Sequence, residues 1–167
     1  GADEPEHMIR DYRAALDRGE LLSNPGITNF QSQFAVSWKP FVGQKYTDEA
    51  DTRVPIAELK RLAERLTTIP ESYVLHSRVQ KIVEDRRGMG QGRLALDWGM
   101  GENLAYASLL VAGYGVRVSG EDCGRGTFFH RHAVLHDQNR EKWDSGNYMP
   151  LQHLQDNQAP CVVIDSV

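Results

Sequence analysis

The chain has 167 residues, of which 40% are hydrophobic and 25% charged, as is typical of one globular domain with or without an appended arm. Its formal net charge of -4 argues against a nucleic-acid-binding surface, which would show a basic stripe. No apolar run approaches the roughly 18–20 residues of a membrane span, and the acidic N-terminal stretch predicts no signal peptide. The two cysteines, Cys123 and Cys161, form no disulfide framework.

The first half of the sequence predicts helices separated by an irregular arm. Residues 4–18 have the apolar spacing of a helix, whereas residues 20–53 are irregular and predict an arm that wraps over another surface. Residues 55–68 form the clearest helix, and another is expected from about residue 76 to residue 85. The basic, glycine-rich residues 86–92 lack the Gly-Lys-Ser/Thr of a P-loop and predict a solvated loop.

The second half alternates short apolar runs with helical spacing. Residues 94–96 predict a strand, residues 99–101 a tight glycine-rich turn, and residues 102–112 a helix. Further strands are expected at residues 116–118 and 161–164. This alternation is typical of an open α/β sheet with a helical crossover. Because the last run reads as a buried strand close to the end of the sequence, we expect the chain to be a fragment of a larger protein.

Glu102 is a candidate functional carboxylate. The predicted elements place it in the first turn of a helix, where the partial positive charge of the helix N-terminus favours the ionised form. Glutamate is common in first turns for structural reasons alone. A functional role requires a partner that exchanges a proton with the carboxylate, such as a ring nitrogen of a cofactor.

Three histidines form a second candidate group. His130 and His132 point to one face if they lie on a strand, and His136 joins them there if the strand persists. This spacing can bind zinc, although no Asp or Cys at matched spacing completes a ligand set. At least one of the three is expected to be structural. Alternatively, His130 and His132 donate hydrogen bonds to an anionic substrate in a pocket made cationic by Arg125 and Arg131.

Other groups in this half predict no chemistry. Gly120, Gly124 and Gly126 do not form a dinucleotide-binding fingerprint. Cys123 lies in a polar loop without a dedicated activating base, which favours a passive thiol. His153 is expected to pack against its neighbours.

Two long runs make the sequence recognisable. Residues 97–107, DWGMGENLAYA, and residues 119–132, SGEDCGRGTFFHRH, closely resemble the thiamine-diphosphate-dependent decarboxylase component of 2-oxoglutarate dehydrogenase. Shorter matches extend the resemblance over nearly the whole chain, at residues 68–71, 77–82, 150–154 and 165–167. The resemblance implies an α/β chain with a transketolase-like thiamine-diphosphate-binding fold. Residues 1–90 would be a helical and irregular linker arm, and residues 91–167 the truncated N-terminal part of a pyrimidine-binding domain.

The resemblance also implies an activity and a set of site residues. Glu102 matches the family's cofactor-activating glutamate, which hydrogen-bonds the pyrimidine ring nitrogen, so it is expected to be both catalytic and cofactor-binding. His132, with His130 beside it, matches a motif near the substrate. The family decarboxylates 2-oxoglutarate and transfers the succinyl group to the lipoyl group of a dihydrolipoyl succinyltransferase in the citric acid cycle. The Mg²⁺ ligands and the aromatic half of the pyrimidine pocket would lie outside these residues.

Further expectations follow for partners and location. The parent protein would be a homodimer in the bacterial cytoplasm, or in the mitochondrial matrix if eukaryotic, without nucleic-acid or membrane partners. This chain alone would be inactive, because the family's cofactor lies between two subunits. Two other functions stay open from the residues themselves. One is a metal-dependent hydrolase built on His130, His132 and His136, and the other is a non-catalytic interaction module that docks through residues 20–53.

Overall fold

The computed structural model describes residues 3–20, 37–142 and 145–166. The chain divides into two compact units, Gly1–Ala50 and Asp51–Val167, and the candidate site residues all lie in the second. None of the helices in the described part of the chain has both the length and the apolar character needed to cross a membrane.

The first unit contains helix α1, Glu4–Asp17, as the apolar spacing predicts. A proline and two acidic side chains occupy its first turn, where a missing N–H is harmless and negative charge is favourable. The helix ends before Gly19, whose φ of 67° is the left-handed conformation expected of a stop signal. Within the predicted arm, residues 21–36 lie outside the described residues and a short 3-10 turn covers Lys39–Phe41. The docking role of the arm stays a prediction.

Helices α2 and α3 open the second unit. Helix α2, Ile56–Thr67, confirms the prediction, since Leu62, Ala63 and Leu66 form a buried face. Helix α3, Ser77–Gly90, is longer than expected, so the prediction of a solvated loop over residues 86–92 is wrong for most of that stretch. Two charged side chains near its end have partners inside the fold: the Arg86 guanidinium donates to the His130 carbonyl at 2.6 Å, and the Arg87 guanidinium donates to the Thr67 carbonyl at 2.7 Å. These hydrogen bonds allow polar residues to continue the helix.

Helix α4, Trp98–Val111, begins earlier than the sequence indicated. The predicted strand at residues 94–96 is absent and the predicted turn at residues 99–101 is helical. Both errors have the same cause, because Asp97 caps the helix. Its Oδ1 accepts a hydrogen bond from the Met100 backbone N–H at 2.7 Å, which satisfies a donor at the helix start.

The described strands form two small sheets. Strands β1, Val116–Gly120, and β4, Cys161–Asp165, confirm the two predicted strands and pair in parallel from Val116 opposite Cys161 to Gly120 opposite Asp165. Strands β2, Leu135–His136, and β3, Asn147–Tyr148, pair antiparallel. Strand β4 is less buried than expected, since only Cys161 in it is fully covered. The architecture is mixed α/β.

The core of the second unit lies between α2, α4 and the short turn Pro150–Gln152. Its fully buried apolar side chains come from all three elements, namely Leu62, Met100, Leu110 and Leu151, with Leu154 beside them. This packing fixes α4 along its length. Helices α2 and α3 share one compact unit with α4, and the predicted domain boundary at residue 90 stays a prediction.

Candidate functional site

The candidate site is centred on Glu102, in the second turn of α4. Because the helix is capped at Asp97, Glu102 is not in the first turn, and that expectation is wrong. The Glu102 side chain is 24% exposed, which leaves the carboxylate within reach of a ligand.

Arg131 holds the Glu102 carboxylate at two points. Its Nη2 donates to Oε1 at 2.7 Å, and its Nε lies 3.1 Å from both carboxylate oxygens. The remaining nitrogen, Nη1, donates to the Cys123 carbonyl at 2.8 Å. On the helix itself, the Tyr106 hydroxyl, one turn beyond Glu102, donates to Oε1 at 2.9 Å. Charge-assisted contacts of this kind fix both the position and the charge of the carboxylate.

These contacts set the charge state of the site. Burial by itself raises the pKa of the Glu102 carboxyl, but the hydrogen bonds from Arg131 and Tyr106 and the nearby charges of Arg131 and His130 outweigh it. The net pKa lies below the usual value, so Glu102 is a carboxylate at neutral pH. Burial and the same carboxylate raise the pKa of the Tyr106 hydroxyl, which therefore stays a donor.

His130 lies on the other side of the carboxylate. Its ring Nε2 is 3.5 Å from Glu102 Oε2, while Nδ1 is buried without a hydrogen-bond partner among the described residues. The ring lies against Gly126, where an added Cβ would come within 2.6 Å of Cε1. Gly126 also has a φ of 83°, a left-handed conformation that other residues rarely adopt. Residues 121–134, which connect β1 to β2, are here called the glycine-rich loop, and Gly126 in this loop leaves the space that the His130 ring occupies.

His132 is half-buried in the same loop. Its φ of 40° turns the backbone at this point, and its N–H donates to the Arg125 carbonyl at 3.0 Å. Burial lowers the pKa of the His132 imidazole, and the positive charges of Arg86 and Arg125 lower it further. His132 is therefore neutral at pH 7, with one ring nitrogen able to accept a proton.

The three histidines do not share a strand face, so that expectation is wrong. His130 and His132 lie in a loop, whereas His136 is on β2 with its Nδ1 2.6 Å from Asn147 Oδ1 and 2.8 Å from Arg140 Nη1. Among the residues that the structure describes, no three His, Cys, Asp or Glu side chains converge in a way that could hold a metal ion. The geometry gives the metal-dependent hydrolase no support.

The expected cationic pocket is also absent, because both arginines are paired. Arg131 is neutralised by Glu102, while Arg125 forms an ion pair with Asp122 and lies 4.0 Å from the centroid of the Phe129 ring. Neither guanidinium is free to bind a substrate carboxylate in this arrangement.

Two smaller expectations are confirmed. The Cys123 thiol is buried and donates to the Ile164 carbonyl at 3.1 Å, and burial together with Asp165 raises its pKa, as a passive thiol requires. His153 packs, with its ring stacked on Tyr148 at a centroid distance of 4.8 Å.

Sequence reasoning missed Arg86, which lies directly behind the site. Its Nη2 donates to the backbone carbonyls of His130 and Arg131 at 2.6 and 2.7 Å. A signal for it existed, since Arg86 follows Val79 and Val83 at helical spacing and so extends the apolar face of α3. An arginine at such a position indicates a buried guanidinium with specific partners.

Comparisons with known proteins relate part of the chain to a domain family and nearly all of it to segments of longer proteins. The family described as transketolase, pyrimidine binding domain, matches residues 95–158. Over 99% of its length the chain is 58% identical to a 2-oxoglutarate dehydrogenase E1 component from Cupriavidus necator and 43% identical to one from Coxiella burnetii. One from Haemophilus influenzae is 42% identical over 99% of the chain. The chain spans 18% of the first of these relatives and 17% of each of the other two.

Proposed function

We propose that the parent protein of this chain decarboxylates 2-oxoglutarate and transfers the succinyl group to the lipoyl group of a dihydrolipoyl succinyltransferase. The chain is homologous to a segment of 2-oxoglutarate dehydrogenase E1 components, which are thiamine-diphosphate-dependent oxidoreductases. It also contains part of a transketolase pyrimidine-binding domain. The chain contributes a partial pyrimidine-binding domain of a transketolase-like thiamine-diphosphate fold, preceded by a helical linker arm.

The observation that carries this proposal is the Glu102 carboxylate. It lies inside the matched family segment, and it is ionised, partly exposed and held from behind by Arg131 and Tyr106. A fixed carboxylate of this kind can accept a hydrogen bond from a ring nitrogen and stabilise the protonated form of that ring.

The residues present fit the pyrimidine side of thiamine diphosphate. Oε1 of Glu102 accepts from both Tyr106 and Arg131, whereas Oε2 accepts from Arg131 Nε at 3.1 Å and lies 3.5 Å from His130 Nε2. Since a carboxylate oxygen has two lone pairs, Oε2 can accept one more donor. When bound, thiamine diphosphate supplies the nucleophilic carbon and the electron sink that loss of CO₂ from a 2-oxo acid needs.

Each site residue then has a distinct role. Glu102 binds the ring nitrogen and holds its proton. His132, neutral at pH 7, accepts or donates a proton near the substrate, and His130 borders the same carboxylate at 3.5 Å. The Mg²⁺ ligands and the aromatic half of the pyrimidine pocket come from outside this chain. The parent protein acts as a homodimer, and its bacterial relatives favour the bacterial cytoplasm over the mitochondrial matrix.

The proposal is tested on the full-length protein with thiamine diphosphate, Mg²⁺ and 2-oxoglutarate. Replacing Glu102→Gln keeps the side-chain size but removes the charge, and we expect activity to fall by roughly a hundredfold or more. The matched control is Glu121→Gln, which changes an exposed glutamate and should leave activity unchanged. The isolated 167-residue chain should show no decarboxylation. Near-normal activity of Glu102→Gln would contradict the role of Glu102, and equal turnover of pyruvate would contradict the substrate.

A further inference from the structure

The guanidinium of Arg86 is buried behind the loop that faces Glu102. Arg86 on α3 is 7% exposed, and its Nη2 donates to two successive backbone carbonyls, those of His130 and Arg131. The distances of 2.6 and 2.7 Å are those of charge-assisted hydrogen bonds. The same two residues present their side chains to Glu102 on the opposite side of the loop.

Neighbouring groups reinforce this backbone clamp. Asn103 Nδ2 donates to the Arg131 carbonyl at 3.2 Å and to the Gly99 carbonyl at 2.8 Å. Gly99 lets the loop approach α4 closely, because an added Cβ would lie 2.1 Å from the His130 carbonyl oxygen. The loop is thus held to α3 and α4 at the two residues whose side chains border the carboxylate.

Arg86 is a buried arginine that contacts backbone carbonyls of the loop and, in the part of the chain that the structure describes, has no direct carboxylate partner, which is unusual for a buried charge. Desolvation of a charge is costly, and Arg86 Nε has no hydrogen-bond partner among the described residues. The carboxylates of Asp97 and Glu102 favour the charged form only from a distance, and burial lowers the pKa of the guanidinium. The two hydrogen bonds to the loop carbonyls are therefore the direct contacts through which Arg86 can act on the site.

We propose that Arg86 is a positioning residue for the Glu102 carboxylate. By fixing the carbonyls of His130 and Arg131, it holds the Arg131 guanidinium in its two-point contact with Glu102. Arg86 does not touch the carboxylate itself and acts through Arg131. The inference deepens the proposed function and rests on it for any effect on catalysis.

The charged and titratable groups around Glu102 define the expected pH effect. Tyr106 faces it from α4 and His130 and Arg131 from the loop, while Arg86 on α3 contacts the loop carbonyls and not the carboxylate. Without Arg86 the Arg131 contact with Glu102 loosens. The hydrogen bonds and the charge of Arg131 are what lower the pKa of the Glu102 carboxyl, so this pKa should rise.

The test compares Arg86→Met with Arg131→Met and with the double variant in the full-length protein. Two quantities are measured, the pH dependence of kcat/KM and the Kd for thiamine diphosphate by calorimetry. We expect Arg86→Met to lower kcat/KM by roughly ten- to a hundredfold and to weaken cofactor binding. The acid limb of the pH profile, where kcat/KM falls as the pH is lowered, should move to higher pH. If Arg86 acts through Arg131, adding Arg86→Met to Arg131→Met should shift the acid limb no further.

Arg87→Met is the matched control. Arg87 is the next residue of α3, and its guanidinium also donates to a backbone carbonyl, that of Thr67. Its loss should leave the acid limb and the Kd where they are. If Arg86→Met does not fold, Arg86→Gln removes the charge and shortens the side chain but keeps a polar group, and a wild-type acid limb in that variant would overturn the proposal.

The outcomes separate this inference from the proposed function. An unshifted acid limb and an unchanged Kd in Arg86→Met, with Glu102→Gln inactive, would overturn the positioning role and leave the proposed function standing. Additive shifts in the double variant would also overturn it. Activity in Glu102→Gln would instead contradict the proposed function itself.

Discussion

Arg131 and Glu102, 29 positions apart in sequence, form a two-point ion pair with Nη2–Oε1 at 2.7 Å and Nε at 3.1 Å from both oxygens. This pair joins the glycine-rich loop to α4. It also explains why Arg131 is not a substrate-binding group in this structure, since its guanidinium is already occupied.

The ion pair predicts a pH dependence of stability. Because the pKa of the folded Glu102 carboxyl lies below the unfolded value, its contribution is fully present above the unfolded pKa of about 4.3 and is lost as the pH falls through the lower folded value. Thermal unfolding between pH 7 and pH 3 measures it. The wild type should be more stable than Glu102→Gln at pH 7, and the difference should shrink in acid. A constant difference across this range would contradict the prediction.

Gly99 on α4 should not tolerate a side chain. An added Cβ would lie 2.1 Å from the His130 carbonyl oxygen, so Gly99→Ala forces the loop away and should lower the free energy of unfolding by about 1–3 kcal/mol. In contrast, Gly101→Ala on the same helix meets nothing within 4 Å and should raise it by up to about 1 kcal/mol. Urea titration of both variants provides the measurement. Equal effects would show that the loop does not press on α4.

The core face of α4 should dominate the stability of the second unit. Leu110 is fully buried, so Leu110→Ala leaves a cavity and should lower the free energy of unfolding by about 2–5 kcal/mol. Leu109, next to it, is 45% exposed, and Leu109→Ala should change stability by only about 0.5 kcal/mol. A similar loss in both variants, measured by denaturant titration, would contradict the assignment of the buried face.

Both cysteines should resist alkylation in the folded protein. Burial raises the pKa of the Cys123 and Cys161 thiols, so little reactive thiolate is present at neutral pH. Peptide mass spectrometry after brief iodoacetamide treatment should show both residues unmodified in the native protein and modified in denaturant. Rapid native labelling of Cys123 would mean that the glycine-rich loop opens.

The sequence predicted the elements whose apolar pattern is regular. Helix α2 and strands β1 and β4 lie where the spacing of hydrophobic residues placed them. The start of α4 was missed because residues 94–96 have strand-like composition, while the decisive contact is the hydrogen bond from Met100 N–H to Asp97. A single capping side chain outweighs a short apolar run.

The candidate site was predictable as a motif but not as a geometry. Glu102 and His130 come from two recognisable runs, and the structure places His130 Nε2 3.5 Å from Glu102 Oε2. The pairing of Arg131 with Glu102 and the burial of Arg86 were not predictable, because both depend on how the loop folds back on α3 and α4. Such contacts between segments distant in sequence leave no local spacing signal.

The parallel register of β1 and β4 has a consequence for the order of folding. It brings Asp165 beside the glycine-rich loop, where Oδ1 accepts a hydrogen bond from the Gly124 N–H at 2.9 Å across a separation of 41 residues. Closing a segment of that length has an entropic cost that the loop cannot offset alone. During synthesis, therefore, the whole loop leaves the ribosome well before Asp165, which anchors it. The glycine-rich loop should reach its final conformation only after β4 has docked, as a late, non-local event in folding.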